Sequence, residues 1–334
     1  MMFVRPRSFP PVFPLRAQGV VRAGLLCGLL VLGMTACGDA PPPDVSEPVD
    51  TEVDGAQPAD PAVPGAPAIW RVSDEDTTVH LFGTIHILRP ETEWKTPAFE
   101  QIIETVDAIY FEADVTSLDA QQSMARLVPQ LGVYTDGTKL TDVLSDADEK
   151  EVKEAADLIG VPMAAMEPMK PWLATVQLSM LALQKQGYDA ESGVEVVIGD
   201  AAADSDIALR YLETGEQQLR FFADAPIDDQ VDFLVASAEQ IENDPQLLDR
   251  LVAEWAEGDV DAIAEIMANP DIMGSRKIYD TLIVERNLNW TEQITDLMEA
   301  EAGAFLIAVG AGHLAGEDSV VEMLRRQGFT VEGP

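Results

Sequence analysis

The spacing of apolar and polar positions changes period several times along the chain. Ile69-Trp70-Arg71-Val72 and Thr77–Phe82 are short apolar-rich runs around the polar break Ser73-Asp74-Glu75-Asp76, a pattern that predicts a β-hairpin. The second run passes into Gly83-Thr84-Ile85-His86. Thr96-Pro97 has the form of a helix cap followed by proline at the first helical position. Phe99, Ile102, Ile103 and Val106 then recur at the spacing of one helix face. Ala108-Ile109-Tyr110-Phe111 reads as a short buried strand that runs into Glu112.

The middle of the chain is helical in pattern. Ser145 opens a helix whose core face is Val152, Ala155, Ala156 and Ile159, and Gly160 stops it. Further helices are expected from Pro171 to about Gln186, over 193–203, in several pieces over 216–267, and as one long helix over Tyr279–Met298. Ile207–Leu212 is a strand ending at Glu213-Thr214. The last part gives strand Phe305–Val309, then Gly310-Ala311-Gly312-His313, a helix near 318–327 and a strand at 329–331. Strands separated by helices predict an α/β fold, with a mixed central sheet flanked by helices and a largely helical middle insertion.

The first part of the chain follows other rules. Arg5, Arg7, Arg16 and Arg22 precede the apolar run Ala23–Ala36, which is too short to cross a bilayer core of ~30 Å. Residues 1–36 therefore read as a secretory signal. The break Met34-Thr35-Ala36-Cys37 resembles a bacterial lipobox, so Cys37 is expected to be lipidated and to start the mature chain. Residues 37–67 are acidic and Pro-rich, without Lys, Arg or apolar period, as expected of an extended tether. The α/β body is expected to occupy 68–334. These features place the protein in the cell envelope, facing the periplasm. Gly38, where an Asp would signal inner-membrane retention in enterobacteria, points to the outer membrane.

Charge and rare residues narrow the chemistry. Lys+Arg is 21 against Asp+Glu 59, a net of −38; loss of the four signal arginines makes it −42. Such a chain repels phosphate backbones, which excludes general nucleic-acid binding. Its 2 cysteines, Cys27 and Cys37, both precede the body, so a Cys nucleophile, a disulfide framework and Cys-ligated zinc are excluded there. Any histidine chemistry must use His80, His86 or His313.

Two of these three lie in matching contexts. TTVHLFGTIH and AFLIAVGAGH are each an apolar strand running into Gly-x-x-His. Ligands in open α/β sheets collect outside the carboxyl ends of strands. The pair therefore predicts one site containing His86 and His313, with His80 structural. Glu112 and Glu213 also end strands. Two histidines and a carboxylate can hold a divalent cation that lowers the pKa of bound water. The remaining carboxylate could act as general base and Arg286 could stabilise an oxyanion. Gly310-Ala311-Gly312-His313-Leu314-Ala315 also fits a dinucleotide fingerprint, which leaves the first Gly-x-x-His unexplained.

LFGTIHIL, FEAD, KPW, LETGEQQL, the Tyr279…Arg286-Asn287 segment and VGAGHLAGEDSVVEMLRRQGFTV together resemble the TraB/PrgY/GumN family. That family is related to the Tiki membrane-anchored proteases and, more distantly, to the erythromycin-esterase/ChaN-like fold. The resemblance covers about residues 68–332. It implies a metal-dependent hydrolytic site with His86, His313 and Glu112 as metal ligands, and Arg286 and Asn287 at a matching helix motif; Mn, Co and Zn all tolerate His with carboxylate. The segment GDAAADSDIAL departs from the family's usual basic turn. The expected function is a lipid-anchored hydrolase, with a peptide or small molecule as substrate. The competing expectation is a non-catalytic ligand-binding or regulatory lipoprotein.

Overall fold

The computed structural model describes residues 65–115, 117–269 and 276–334. The signal, Cys37 and all but the last residues of the tether lie outside them. Six strands form one sheet: β1 (Ile69–Ser73), β2 (Thr77–Thr84), β3 (Ala108–Ala113), β4 (Ala208–Glu213), β5 (Gly303–Gly310) and β6 (Val331–Glu332). Their spatial order is β4-β3-β5-β2-β1-β6. The first four in that order are mutually parallel, and β1 and β6 are antiparallel additions at one edge. The fold is therefore α/β with a mixed sheet. The predicted hairpin is present, with Ile69 opposite Phe82 and Ser73 opposite Thr78.

The sheet is covered on both faces, and period-2 alternation along β5 decides which side chain goes where. Leu306 and Ala308 join a core with Phe82, Ile109, Phe111 and most of the helices. Phe305, Ile307 and Val309 join Trp70, Val72, Val79, Leu81 and Trp290 on the other face. The helices longer than one turn are α1 (Pro97–Thr105), α2 (Leu118–Gly132), α3 (Asp146–Ile159), α4 (Pro171–Lys185), α5 (Val194–Asp204), α6 (Gly215–Ala223), α7 (Ile227–Asn243), α8 (Leu247–Glu257), α9 (Val260–Ala268), α10 (Glu285–Ala300) and α11 (Val320–Gln327). Five of them, α5 to α9 apart from the strand β4 between the first two, follow one another through the middle of the chain.

The caps follow the sequence signals. Thr96 accepts from the Phe99 backbone N–H ahead of α1. Ser145 and Asp148 form a capping box on α3, and Gly160 ends that helix in the left-handed region at φ 76°. One expectation is corrected. The helix expected to be continuous from Tyr279 is interrupted by a π-helical turn at Asp280–Val284 before α10 begins. Single π turns concentrate at functional sites, and here the Leu282 carbonyl accepts a hydrogen bond from the Arg286 side chain. Among the described residues no helix is long and apolar enough to cross a membrane.

Candidate active site

Parallel pairing brings the two Gly-x-x-His segments side by side, because Thr84 of β2 pairs with Gly310 of β5. β3 flanks β5 on its other side, and β4 lies beyond it. The carboxyl ends of β2, β5, β3 and β4 thus form one edge, which carries His86, His313, Glu112 and Glu213. Glycine is required for this closeness at two points. A Cβ on Gly83 would lie 3.0 Å from the Ala311 Cα, and one on Gly193 would lie 2.2 Å from the His86 carbonyl oxygen.

Arg286, from α10, is the hub. Its Nε donates to Glu213 Oε1 at 3.0 Å, and its Nη2 donates to Glu112 Oε2 at 2.6 Å and Glu213 Oε2 at 3.0 Å. Its Nη1 donates to the Leu282 carbonyl and meets His313 Nε2 at 3.0 Å. All five N–H groups of the guanidinium are thereby used, so none is left for a substrate oxyanion. Glu112 also receives the Gly310 N–H and the Gln218 amide. Glu213 also receives the Trp290 indole N–H. Burial and the Glu112 charge raise Glu213's pKa against the opposing pull of Arg286.

The network fixes the His313 tautomer. A guanidinium can only donate, so Nε2 accepts from Arg286 and the ring proton sits on Nδ1. Nδ1–H donates to Asn287 Oδ1 at 2.6 Å, while Asn287 Nδ2 donates to the carbonyls of His313 and Asp318. Burial holds His313 well below its ordinary pKa, and the charges of Arg286 and His86 act in the same direction. At neutral pH it is a neutral imidazole.

His86 is different. Its Nδ1 lies 2.5 Å from Glu195 Oε1, and the Thr84 hydroxyl donates to the same oxygen. Burial works against the Glu195 charge, yet the His86 charge and the bonds from His86 and Thr84 outweigh it and hold the carboxyl below its usual range. The His86 and Glu195 side chains keep 11% and 14% exposure where His313 has 0%, so of these two histidines His86 is the one that meets solvent. A cleft of about 800 Å³ lined by Asp114, Ser123, Arg126, Glu213 and Gln217 opens on the Glu213 side.

Of the expected site residues, Glu112, Glu213, Arg286, Asn287 and His313 form one connected network, and His86 lies in a second cluster with Glu195. The sequence reading missed three partners. Glu195 comes from the first turn of α5, and the Gly before that helix was its only signal. Gln218 lies inside LETGEQQL, and Trp290 follows Arg286 by one helical turn.

A divalent ion on the expected ligand set would have to displace hydrogen bonds already made in this arrangement. His313 Nε2 is taken by Arg286, both Glu112 oxygens are engaged, and His313 Nε2 stands 3.8 Å from Glu112 Oε1. Among the described residues no three His, Cys, Asp or Glu side chains are gathered to hold a metal.

His80 sits mid-strand opposite Arg71, away from this edge. Burial, with Arg71 adding, lowers its pKa from 6.5 to about 4. The unfolded chain therefore takes the proton first on acidification, and stability is lost as pH falls from 6.5 to about 4. His80→Gln should lose less stability than the parent between about pH 7 and about pH 4.5, as read from urea midpoints. Equal losses would show that His80 carries no such linkage.

The pattern of the TraB/PrgY/gumN family matches residues 68–333, nearly the whole described body. The chain belongs to that family. It is similar to the uncharacterized protein YbaP of Escherichia coli strain K12, with 23% identity over 246 residues, 74% of this chain and 87% of YbaP. YbaP of Shigella flexneri, also uncharacterized, matches over the same extent at the same identity. No solved structure matches the chain.

Proposed function

We propose that this TraB/PrgY/gumN protein is a lipid-anchored hydrolase of the cell envelope, facing the periplasm and cleaving an amide or ester bond in a peptide or small molecule. The observation that carries this is the His86–Glu195 pair at the strand edge, beside the buried network around Arg286. His86 is the one partly exposed imidazole there, and its Nδ1 is held by a carboxylate. Such a ring can take a proton from water at Nε2 and return it to the leaving group, while the carboxylate stabilises the imidazolium formed. Neutral His313, held by Asn287 and Arg286, is positioned without being charged.

A second reading keeps a divalent cation (Mn, Co or Zn) on His86, His313 and Glu112. It is favoured by the anchoring of both rings at Nδ1, since ligating histidines carry such a partner on the other nitrogen. One experiment separates the readings. Metal content and turnover on a panel of peptides and esters are measured for the parent, His86→Ala and His313→Ala. The proposal expects turnover to vanish in His86→Ala with metal content unchanged. Stoichiometric metal lost in both variants would favour the cation. A parent that turns over nothing on the panel would favour the ligand-binding protein.

Anchoring is tested apart from chemistry. Cys37→Ser should move the protein from the membrane to the soluble fraction. A parent already soluble after fractionation would sink the lipobox reading.

A further inference from the structure

The cleft of about 800 Å³ on the Glu213 side is built from the end of β4, the start of α6 and one face of α2. That volume is in the range of sites for small molecules. Asp119, Ser123, Arg126 and Gln130 recur along α2 at intervals of four, three and four, so they share one helix face, and all four line the cleft. Met124, Leu127 and Leu212 add apolar surface to the lining.

The charges of the lining define what it would hold. Those on β4 and α6 are already compensated: Glu213 pairs with Arg286, and Glu216 pairs with Arg220 at 2.8 Å. Those on α2 are not. Among the described residues neither Asp119 nor Arg126 has a partner of opposite charge. Arg126 Nε donates to the Gln122 carbonyl at 3.1 Å and Nη2 to the Ser123 hydroxyl at 3.5 Å, so three of its five N–H groups stay open. In a chain of 59 acids and 21 basic residues, a guanidinium that meets no carboxylate is unusual. Asp119 stands in the first turn of α2. Asp114, which accepts from the Ser117 N–H and hydroxyl, adds a second carboxylate at that end. At ~1.5 Å rise per residue, Arg126 lies about 10 Å further along the helix than Asp119. The cleft is therefore negative at one end and positive at the other. An extended chain of three residues spans the same distance, about 10 Å, between its terminal nitrogen and its carboxylate.

We infer that the cleft binds a short zwitterionic peptide, of about three residues, with its ammonium at Asp114 and Asp119 and its carboxylate on Arg126. Arginine takes a carboxylate through charge-assisted hydrogen bonds from its planar fork. Such binding goes beyond the hydrolase reading and does not depend on turnover at His86. The probe is trialanine with both ends free, titrated calorimetrically into the purified protein. It should bind saturably, at one molecule per chain. N-acetyl-trialanine and trialanine amide each lack one terminal charge and should bind about tenfold more weakly. Arg126→Gln should bind the free acid and the amide equally well. Asp119→Asn should shrink the penalty for acetylation, with Asp114 keeping part of it. Both positions are exposed on α2, and circular dichroism establishes that each variant is folded. Absence of saturable binding overturns the inference, as does an Arg126→Gln variant that still prefers the acid or an acetylation penalty unchanged in Asp119→Asn. An amide that binds the parent as tightly as the free acid would make the cleft a site for simple cations and overturn it too. Chromatography of the recovered peptide reads cleavage separately. Trialanine bound as expected and returned intact supports this site while counting against the hydrolase.

Discussion

Arg286→Leu is expected to destabilise the protein by about 3–5 kcal/mol, because it removes the guanidinium that bridges two buried carboxylates. Glu112 and Glu213 would be left with the Gln218 amide, the Gly310 N–H and the Trp290 indole, which are neutral donors. In a body of this size the loss corresponds to a fall in Tm of roughly 10 °C. Leucine fills the space without supplying a charge, so the effect reads electrostatics more than packing. Arg286→Lys should recover only part of it, since an ammonium has three donors and no planar fork to span Glu112, Glu213 and His313 together. The pH dependence gives a second readout. Glu213 already binds its proton more tightly than an ordinary carboxyl. Without the guanidinium this tendency grows, and protonation relieves the repulsion between the two acids. The native variant then binds a proton that its unfolded chain does not, so its deficit should shrink as pH falls from about 7 toward about 5. Thermal unfolding of the parent and both variants across that range checks this. A leucine variant that melts with the parent would show that the network is not held by Arg286.

Glu195→Gln is expected to lower turnover by roughly 10²–10⁴-fold, far beyond what its modest fall in melting temperature would cause. Glutamine is isosteric and can still accept from the Thr84 hydroxyl and His86 Nδ1–H, so the ring stays in place. It cannot stabilise the imidazolium that forms when His86 takes a proton. The loss should therefore appear in kcat, with little change in KM, and the acidic limb of the pH–rate profile should move to lower pH because His86 becomes a weaker base. Glu195 also sits in the first turn of α5, where a negative charge is favoured by the helix dipole by a few tenths of a kcal/mol, and its carboxylate is further favoured by His86 and Thr84, so some stability is lost with the charge. His86→Ala should lose at least as much activity. Full activity in Glu195→Gln with an unmoved profile would remove His86–Glu195 as the working pair.

Local rules carried far in this chain. The Asp/Glu-rich break made the hairpin, Thr96-Pro97 and Ser145 with Gly160 set helix limits, and apolar spacing marked the buried faces of α1 and α3. Each depends on residues within one or two turns of each other, so the sequence contains the whole cause. The repeated strand–Gly-x-x-His pattern was legible for the same reason, and it located one edge of the sheet.

What that edge contains was decided by topology. β5 comes late in the chain yet inserts between β2 and β3, and only this insertion sets His313 beside Thr84 and Glu112. Arg286 reads in the sequence as a candidate oxyanion stabiliser on a long helix. Burial among two carboxylates and a histidine turns it into a saturated hub, and a π turn supplies the carbonyl for its fifth N–H. Glu195 is one of many acids in an acidic chain, and no local pattern separates it from the solvated ones. It is singled out because Gly193 lets α5 approach the His86 backbone more closely than any side chain would permit. The sequence by itself determined the elements and the kinds of side chain at their ends, since these follow from short-range geometry and burial. Which of those side chains share a proton or a charge was decided only in the tertiary structure, because hydrogen bonding and desolvation act over a few ångströms between residues as far apart as Glu112 and Arg286.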